Sequence, residues 1–265
     1  MSAPLYTQRL GNRRQPVLVL LHGFLGSHKD WYEVTDRLEF GFDKLIIDLP
    51  GHGKSLPPPA FYSLENTCRS ILTLLDEQHI DSCILLGYSM GGRLALHLAV
   101  TFPHRFRALI LESASPGITE ESERRLKRQW EEKIIRKLQT SDMATFIHDW
   151  YKNPLFHSLR RHPDFTMLVK RRCRNDPEAL GLALRNLGAG TMPSLWCRLA
   201  ELKMPVLTIC GELDRKYRTI SKKIMDANPA ISVITAPDCG HNIHFENSTY
   251  FCNTVNTFLH RLKKP

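Results

Sequence analysis

Ser89 is the first residue of this chain whose setting suggests chemistry. It lies in Gly87-Tyr88-Ser89-Met90-Gly91, after the apolar run "CILLG" (83–87) and before a helix-forming stretch. A serine on such a strand-to-helix corner sits on a tight, strained turn, and small neighbours keep the crowded backbone free of clashes. The helix that follows points its first N–H groups at the same spot, which suits developing negative charge. The five-residue pattern alone is weak and can arise by chance at a turn. With a strand before it and a helix after it, the pattern indicates a reactive serine.

A serine hydroxyl needs a base, and the base needs an orienting acid. In "ICGELDRKY", Asp214 stands four residues after an apolar run ending at Cys210. In "APDCGHNIHFEN", His241 follows the next such run in a glycine-flanked loop. Glu212 is closer to the strand end than Asp214, and Asp238 is too near His241 in sequence to reach behind its ring. His244 reads equally well as a pocket neighbour or as a capping or surface histidine. An oxyanion hole requires two backbone N–H groups. Met90 supplies one and Phe24, in "LLHGFLGS", the other, with His22 bracing that loop rather than moving protons. Gly53-Lys54-Ser55 imitates the end of a phosphate-binding loop. However, Asp48 occupies the position of the required earlier glycine, and three prolines (57–59) stand where a helix should start, so a nucleotide-binding loop is excluded.

These residues need elements to hold them. Apolar runs at 16–21, 44–49, 83–87, 108–113, 205–210 and 231–236 read as buried parallel strands. Helical patterns fall between them at 29–38, 64–78, 91–102, 220–227 and 249–262. The alternation predicts an α/β fold, a mostly parallel central sheet with helices on both faces. Between about 116 and 195 the rhythm breaks into polar, helical sequence with no strand-like run. That stretch reads as a helical lid inserted into a core formed by 1–115 and 196–265. From Gly117 to Trp196 there are fifteen Lys and Arg against ten Asp and Glu, so the lid carries +5 of the chain's net +9.

Composition narrows the function. The 265 residues, 42% hydrophobic, are enough for one large domain, and no run approaches membrane-span length. The first sixteen residues hold no apolar stretch of signal-peptide length, and the seven cysteines are scattered without a CxxC pair. Both point to a reducing, cytoplasmic setting and away from a disulfide framework or zinc site. No basic and aromatic interleaving or known module suggests nucleic acid. A positive lid instead suits a small anionic substrate, although a solvated basic surface would account for part of the charge. The oligomeric state cannot be read from the sequence.

With these residues in hand, the chain resembles the α/β-hydrolase superfamily over its full length, including the chain order Ser89, Asp214, His241. Within it, the chain looks most like the bacterial SHCHC synthases (MenH) of menaquinone biosynthesis. The resemblance rests on "LLHGFLGSHKDW", "DLPGHG", "GYSMGGR", "DWYKNPLF", "CGELDRKYR" and "GHNIHFEN", and on "SPG" followed by an Arg-rich helix ending in Trp130. It implies a lyase that eliminates pyruvate from SEPHCHC, a substrate with several carboxylates, to give 2-succinyl-6-hydroxy-2,4-cyclohexadiene-1-carboxylate. It implies no metal or organic cofactor. Carried over by position, Ser89, Asp214 and His241 are the triad, with Ser89 acting as general base. Arg93 and Arg172 are substrate-binding arginines (Arg171 if the register slips by one), and Tyr88 and Trp150 are pocket aromatics. The family's arginine in the first lid helix falls on Glu123 here, which leaves Arg124 as the nearest substitute, with Arg125 or Arg128 in another register. Two other readings remain open. One is a carboxylesterase or thioesterase with Ser89 as covalent nucleophile. The other is a non-catalytic binding protein on the same fold, which the complete Ser, Asp and His set argues against.

Overall fold

The computed structural model describes residues 3–13, 16–39 and 41–262. Of the N-terminal stretch discussed above, 1–2 and 14–15 therefore lie outside the described residues. The apolar runs form strands β2 (Val17–Leu21), β3 (Asp43–Ile47), β4 (Cys83–Tyr88), β5 (Phe106–Glu112), β6 (Val206–Gly211) and β7 (Ser232–Ala236). They join a seven-stranded sheet in the order β1-β3-β2-β4-β5-β6-β7. Only β1 (Thr7–Leu10) runs antiparallel, against β3. The sequence patterns give no sign of β1. Its "TQRL" is short, polar and half-exposed, as suits an edge strand with one neighbour.

The period of two along each strand divides the core. Val17, Val19 and Leu21 join Leu45, Leu85, Leu109 and Leu111 on one face, covered by helices α2 (Leu64–Glu77), α3 (Met90–Thr101) and α8 (Arg215–Ala227). Leu18 and Leu20 join Ile46, Leu86 and Ile110 on the other face, covered by α1 (Tyr32–Thr35), α9 (Ile243–Glu246) and α10 (Ser248–Leu262). Strands β2 to β6, buried along nearly all their length, read as continuous apolar runs. β7 departs from the expected buried strand: it closes the other edge of the sheet, with Ser232, Ile234 and Thr235 exposed. The helix predicted over 29–38 is shorter than expected: a 3₁₀ turn (His28–Trp31) leads into the single turn of α1.

Between β5 and β6 the chain forms α4 (Glu121–Thr140), α5 (Met143–Tyr151), α6 (Phe165–Arg172) and α7 (Pro177–Leu187), with no strand among them. Asp142 and Asp176 cap α5 and α7 by accepting from the N–H groups of Thr145 and Ala179. The block has its own apolar cluster, including Leu138, Ile147, Leu168 and Leu180, and Leu25 and Phe245 from outside the block join it. No helix among the described residues is long and apolar enough to cross a membrane.

Candidate active site

The end of β4 delivers Ser89 on the corner the motif predicts. Its φ of 51° and ψ of −105° lie outside the regions ordinary residues adopt. The strain persists because the corner is wedged against β2: a Cβ on Gly91 would lie 2.4 Å from the carbonyl oxygens of Leu21 and His22. The N–H of Ser89 donates to the Glu112 carbonyl on β5 at 2.8 Å. Together these contacts hold the side chain at the sheet's C-terminal edge.

Two later loops bring the partners. Asp214 caps α8 by accepting from the Tyr217 N–H through Oδ1 at 3.1 Å, which leaves Oδ2 for another donor. His241 provides that donor, its Nδ1 at 2.7 Å from Asp214 Oδ2 and its Nε2 at 3.0 Å from Ser89 Oγ. Asp214 and His241 are buried, so this relay works in a low-dielectric setting. The competing acid Glu212 is occupied elsewhere, its Oε2 accepting from the Asp238 N–H at 3.1 Å. His244 is a buried brace, its Nδ1 2.7 Å from Glu112 Oε2 and its ring stacked on Trp31 at 4.5 Å.

The loop after β2 brings Phe24 to the same cavity as Ser89 and Met90. Met90 opens α3, so its N–H has no carbonyl one turn earlier in the helix to receive it. The Phe24 N–H pairs with no backbone group among the described residues. His22 holds this loop: Nδ1 donates to the Gly23 carbonyl at 2.8 Å, while Nε2 accepts from the Leu49 N–H at 3.0 Å. That pairing requires a neutral ring, and burial keeps its pKa below the ordinary value. The Asp48–Ser55 loop folds around a carboxylate instead of a phosphate. Asp48 Oδ2 accepts from the Lys54 N–H at 2.9 Å, and Gly53, at φ 55°, wraps over it.

Ser89 and His241 open onto a cavity of about 1950 Å³ between the sheet edge and the helical block. Tyr88, Arg93, Trp150 and Arg172 all line it. Trp150 packs against Phe24, with ring centroids 5.3 Å apart. Arg93 is buried. Its Nη2 donates to the Leu187 carbonyl at 3.2 Å, its Nε is buried without a partner, and burial depresses its pKa. The two candidates on α6 separate clearly. Arg171 turns outward to the Lys29 carbonyl at 2.9 Å, whereas Arg172 lies inside, its Nη1 2.7 Å from Asp30 Oδ1 and its Nε 3.3 Å from the Tyr151 hydroxyl.

Arg124 does not reach the cavity. Its guanidinium pairs with Glu121 at 3.4 Å and donates to the Thr191 carbonyl at 3.5 Å, while Glu123 and Lys127 of the same helix line the cavity. The sequence reading also missed the contribution of α8, where Arg215, Lys216, Arg218 and Lys223 bring positive charge to the cavity lining. The signal was present in "DRKYR", which begins at Asp214 itself. A run of charges opening a helix reads as a solvated face unless the preceding acid is recognised as its cap.

The sequence model of the family described as alpha/beta hydrolase fold matches residues 16–248. A Bacillus subtilis (strain 168) protein is 34% identical over 254 residues, covering 94% of this chain and 92% of its own length. A Photorhabdus laumondii protein named 2-succinyl-6-hydroxy-2,4-cyclohexadiene-1-carboxylate synthase is 32% identical over 255 residues, 96% of this chain and 89% of its own. The solved structure of MenH from S. aureus superposes with a TM-score of 0.93 at 32% identity, covering 97% of this chain and 99% of that one. The chain belongs to the alpha/beta hydrolase family and, within it, groups with these relatives.

Proposed function

We propose that this chain is a lyase of menaquinone biosynthesis that eliminates pyruvate from SEPHCHC to form 2-succinyl-6-hydroxy-2,4-cyclohexadiene-1-carboxylate. The observation that carries the reading is a Ser89–His241–Asp214 relay opening into a cavity that Arg93, Lys127, Arg172 and basic residues of α8 line among several carboxylates, beside relatives that bear this activity in their names. Ser89 passes its proton to His241 Nε2, Asp214 balances the imidazolium, and Ser89 Oγ removes a proton from a ring carbon of the substrate. The electrons of that C–H bond move onto the conjugated succinyl carbonyl, where the Phe24 and Met90 N–H groups stabilise the oxyanion. One such donor contributes about 3 kcal/mol to a transition state. Collapse of the enolate breaks the C–O bond to the enolpyruvyl group and adds one ring C=C bond. The departing enolate takes up the proton held on His241 and leaves as pyruvate, which restores the relay. The substrate is a small polyanion held by Arg93, with Arg172, Tyr88 and Trp150 shaping its surroundings. Residues 116–195 act as the lid that closes over it. Free thiols at all seven cysteines suit a cytoplasmic enzyme.

The test is pyruvate release from SEPHCHC by purified protein, measured beside hydrolysis of an activated ester. The lyase should release pyruvate without an acyl-enzyme burst. An ester-driven burst with no pyruvate from SEPHCHC would make Ser89 a covalent nucleophile and sink the reading.

A further inference from the structure

The family-matched arginines alone do not balance the charges of a polyanionic substrate. A substrate with three carboxylates needs several cations free to meet it. Of the arginines at family-matched positions, Arg172 is already neutralised by Asp30, and Arg124 sits outside against Glu121. Arg93 alone remains uncommitted to a carboxylate within hydrogen-bond reach. On the inner side of α4, Lys127 reaches into the cavity with its Nζ 3.6 Å from the centroid of the Trp130 ring. Its nearest carboxylate, Glu131, is 3.8 Å away. That carboxylate is already turned to the N–H groups of Ala189 and Gly190, at 2.9 and 3.2 Å. Lys216 of α8 lines the same cavity and, with Arg93, adds to the positive field at Lys127.

From this placement we infer that Lys127, assisted by Lys216, is a substrate-binding residue, its ammonium receiving a carboxylate that Arg93 does not pair. The inference rests on the lyase reading for the identity of the substrate, but not for the existence of the anion site. Burial lowers the pKa of Lys127 to about 8, with Arg93 and Lys216 pushing the same way and Glu131 opposing them. In the free enzyme the ammonium is therefore lost as pH rises through about 8, and binding weakens above that value. A guanidinium at the same position would not titrate in this range.

The experiment compares wild type, Lys127→Met, Lys127→Arg and Lys216→Met. Pyruvate release is followed across pH 7 to 10, and tricarballylate binding is measured by calorimetry as an activity-independent probe of a tricarboxylate. At pH 7 Lys127→Met should raise KM about tenfold or more, with kcat changed less than threefold, and should weaken tricarballylate in parallel. Lys216→Met should do the same to a smaller degree. Wild-type KM should climb above pH 8, while Lys127→Arg stays level and retains low KM. Unchanged KM and tricarballylate affinity in Lys127→Met, or a loss confined to kcat, would overturn the inference. If wild type releases no pyruvate at all, the lyase reading fails, and the tricarballylate titrations alone decide the fate of the lysine site. Should Lys127→Met not fold, the level pH profile of Lys127→Arg makes the decision, and a wild-type-like climb there refutes it.

Discussion

Removing Asp30 should cost far more than removing Asp30 and Arg172 together. The two side chains meet at 2.7 Å, each with 4% exposure or less, and they tie the loop after β2 to α6 across 142 residues of sequence. Burial alone would raise the Asp30 pKa, but the Arg172 guanidinium outweighs it and holds the carboxyl below its ordinary value near 3.8. Asp30→Ala leaves a buried guanidinium with only the Tyr151 hydroxyl at 3.3 Å. Breaking one side of a buried pair costs roughly 3–5 kcal/mol, which in a chain of this size lowers Tm by about 10 °C. Arg172→Met fills similar volume without charge, so the double variant should recover about half of that loss or more. Urea unfolding of wild type, both single variants and the double variant closes the cycle. The pH dependence gives a second check with a definite sign. A depressed acid pKa contributes stability that is complete above the unfolded value and lost as pH falls through the folded one, so the gap between wild type and Asp30→Ala should shrink below about pH 4. A double variant no more stable than Asp30→Ala, or additive singles, would refute the claim that the charges hold each other.

Two further outcomes follow from the geometry. Ser89→Gly should unfold no earlier than wild type and up to a few degrees later in a thermal melt, because relief of the φ 51° strain, about 1–3 kcal/mol, exceeds glycine's entropic cost. The same variant should lose at least about a thousandfold in pyruvate release. Arg124→Ala should leave KM for SEPHCHC within about twofold of wild type, since its guanidinium lies outside the cavity; a tenfold rise would show that α4 turns it inward when substrate binds.

The relay was legible because each member is announced locally: a motif for Ser89, a strand end for Asp214, a glycine-flanked loop for His241. The sheet was legible for a similar reason, since strands buried on both faces cannot avoid apolar runs. The helical block was harder to read. Whether Arg171 or Arg172, and Arg124 or Lys127, turns inward depends on the register of one helix against its neighbours, and polar helices carry little periodicity to fix it. Asp30 could not be read at all. It sits in an ordinary turn, and its partner is 142 residues away. β1 escaped notice because an edge strand needs only one good face.

The sharing of one apolar cluster by Leu25, Phe245 and the helical block has a consequence for exchanging parts between relatives. Leu25 follows directly after Phe24, and Phe245 stands four residues past His241, so the residues that seat the roof are interleaved with those that line the reaction centre. Grafting another relative's helices onto this sheet would leave these two side chains facing a foreign surface, and adjusting them would disturb the loops on either side. On the function proposed above, substrate preference and scaffold integrity change together, and new specificity would be reached through single side chains on α4 and α8 more readily than by exchanging the whole helical block.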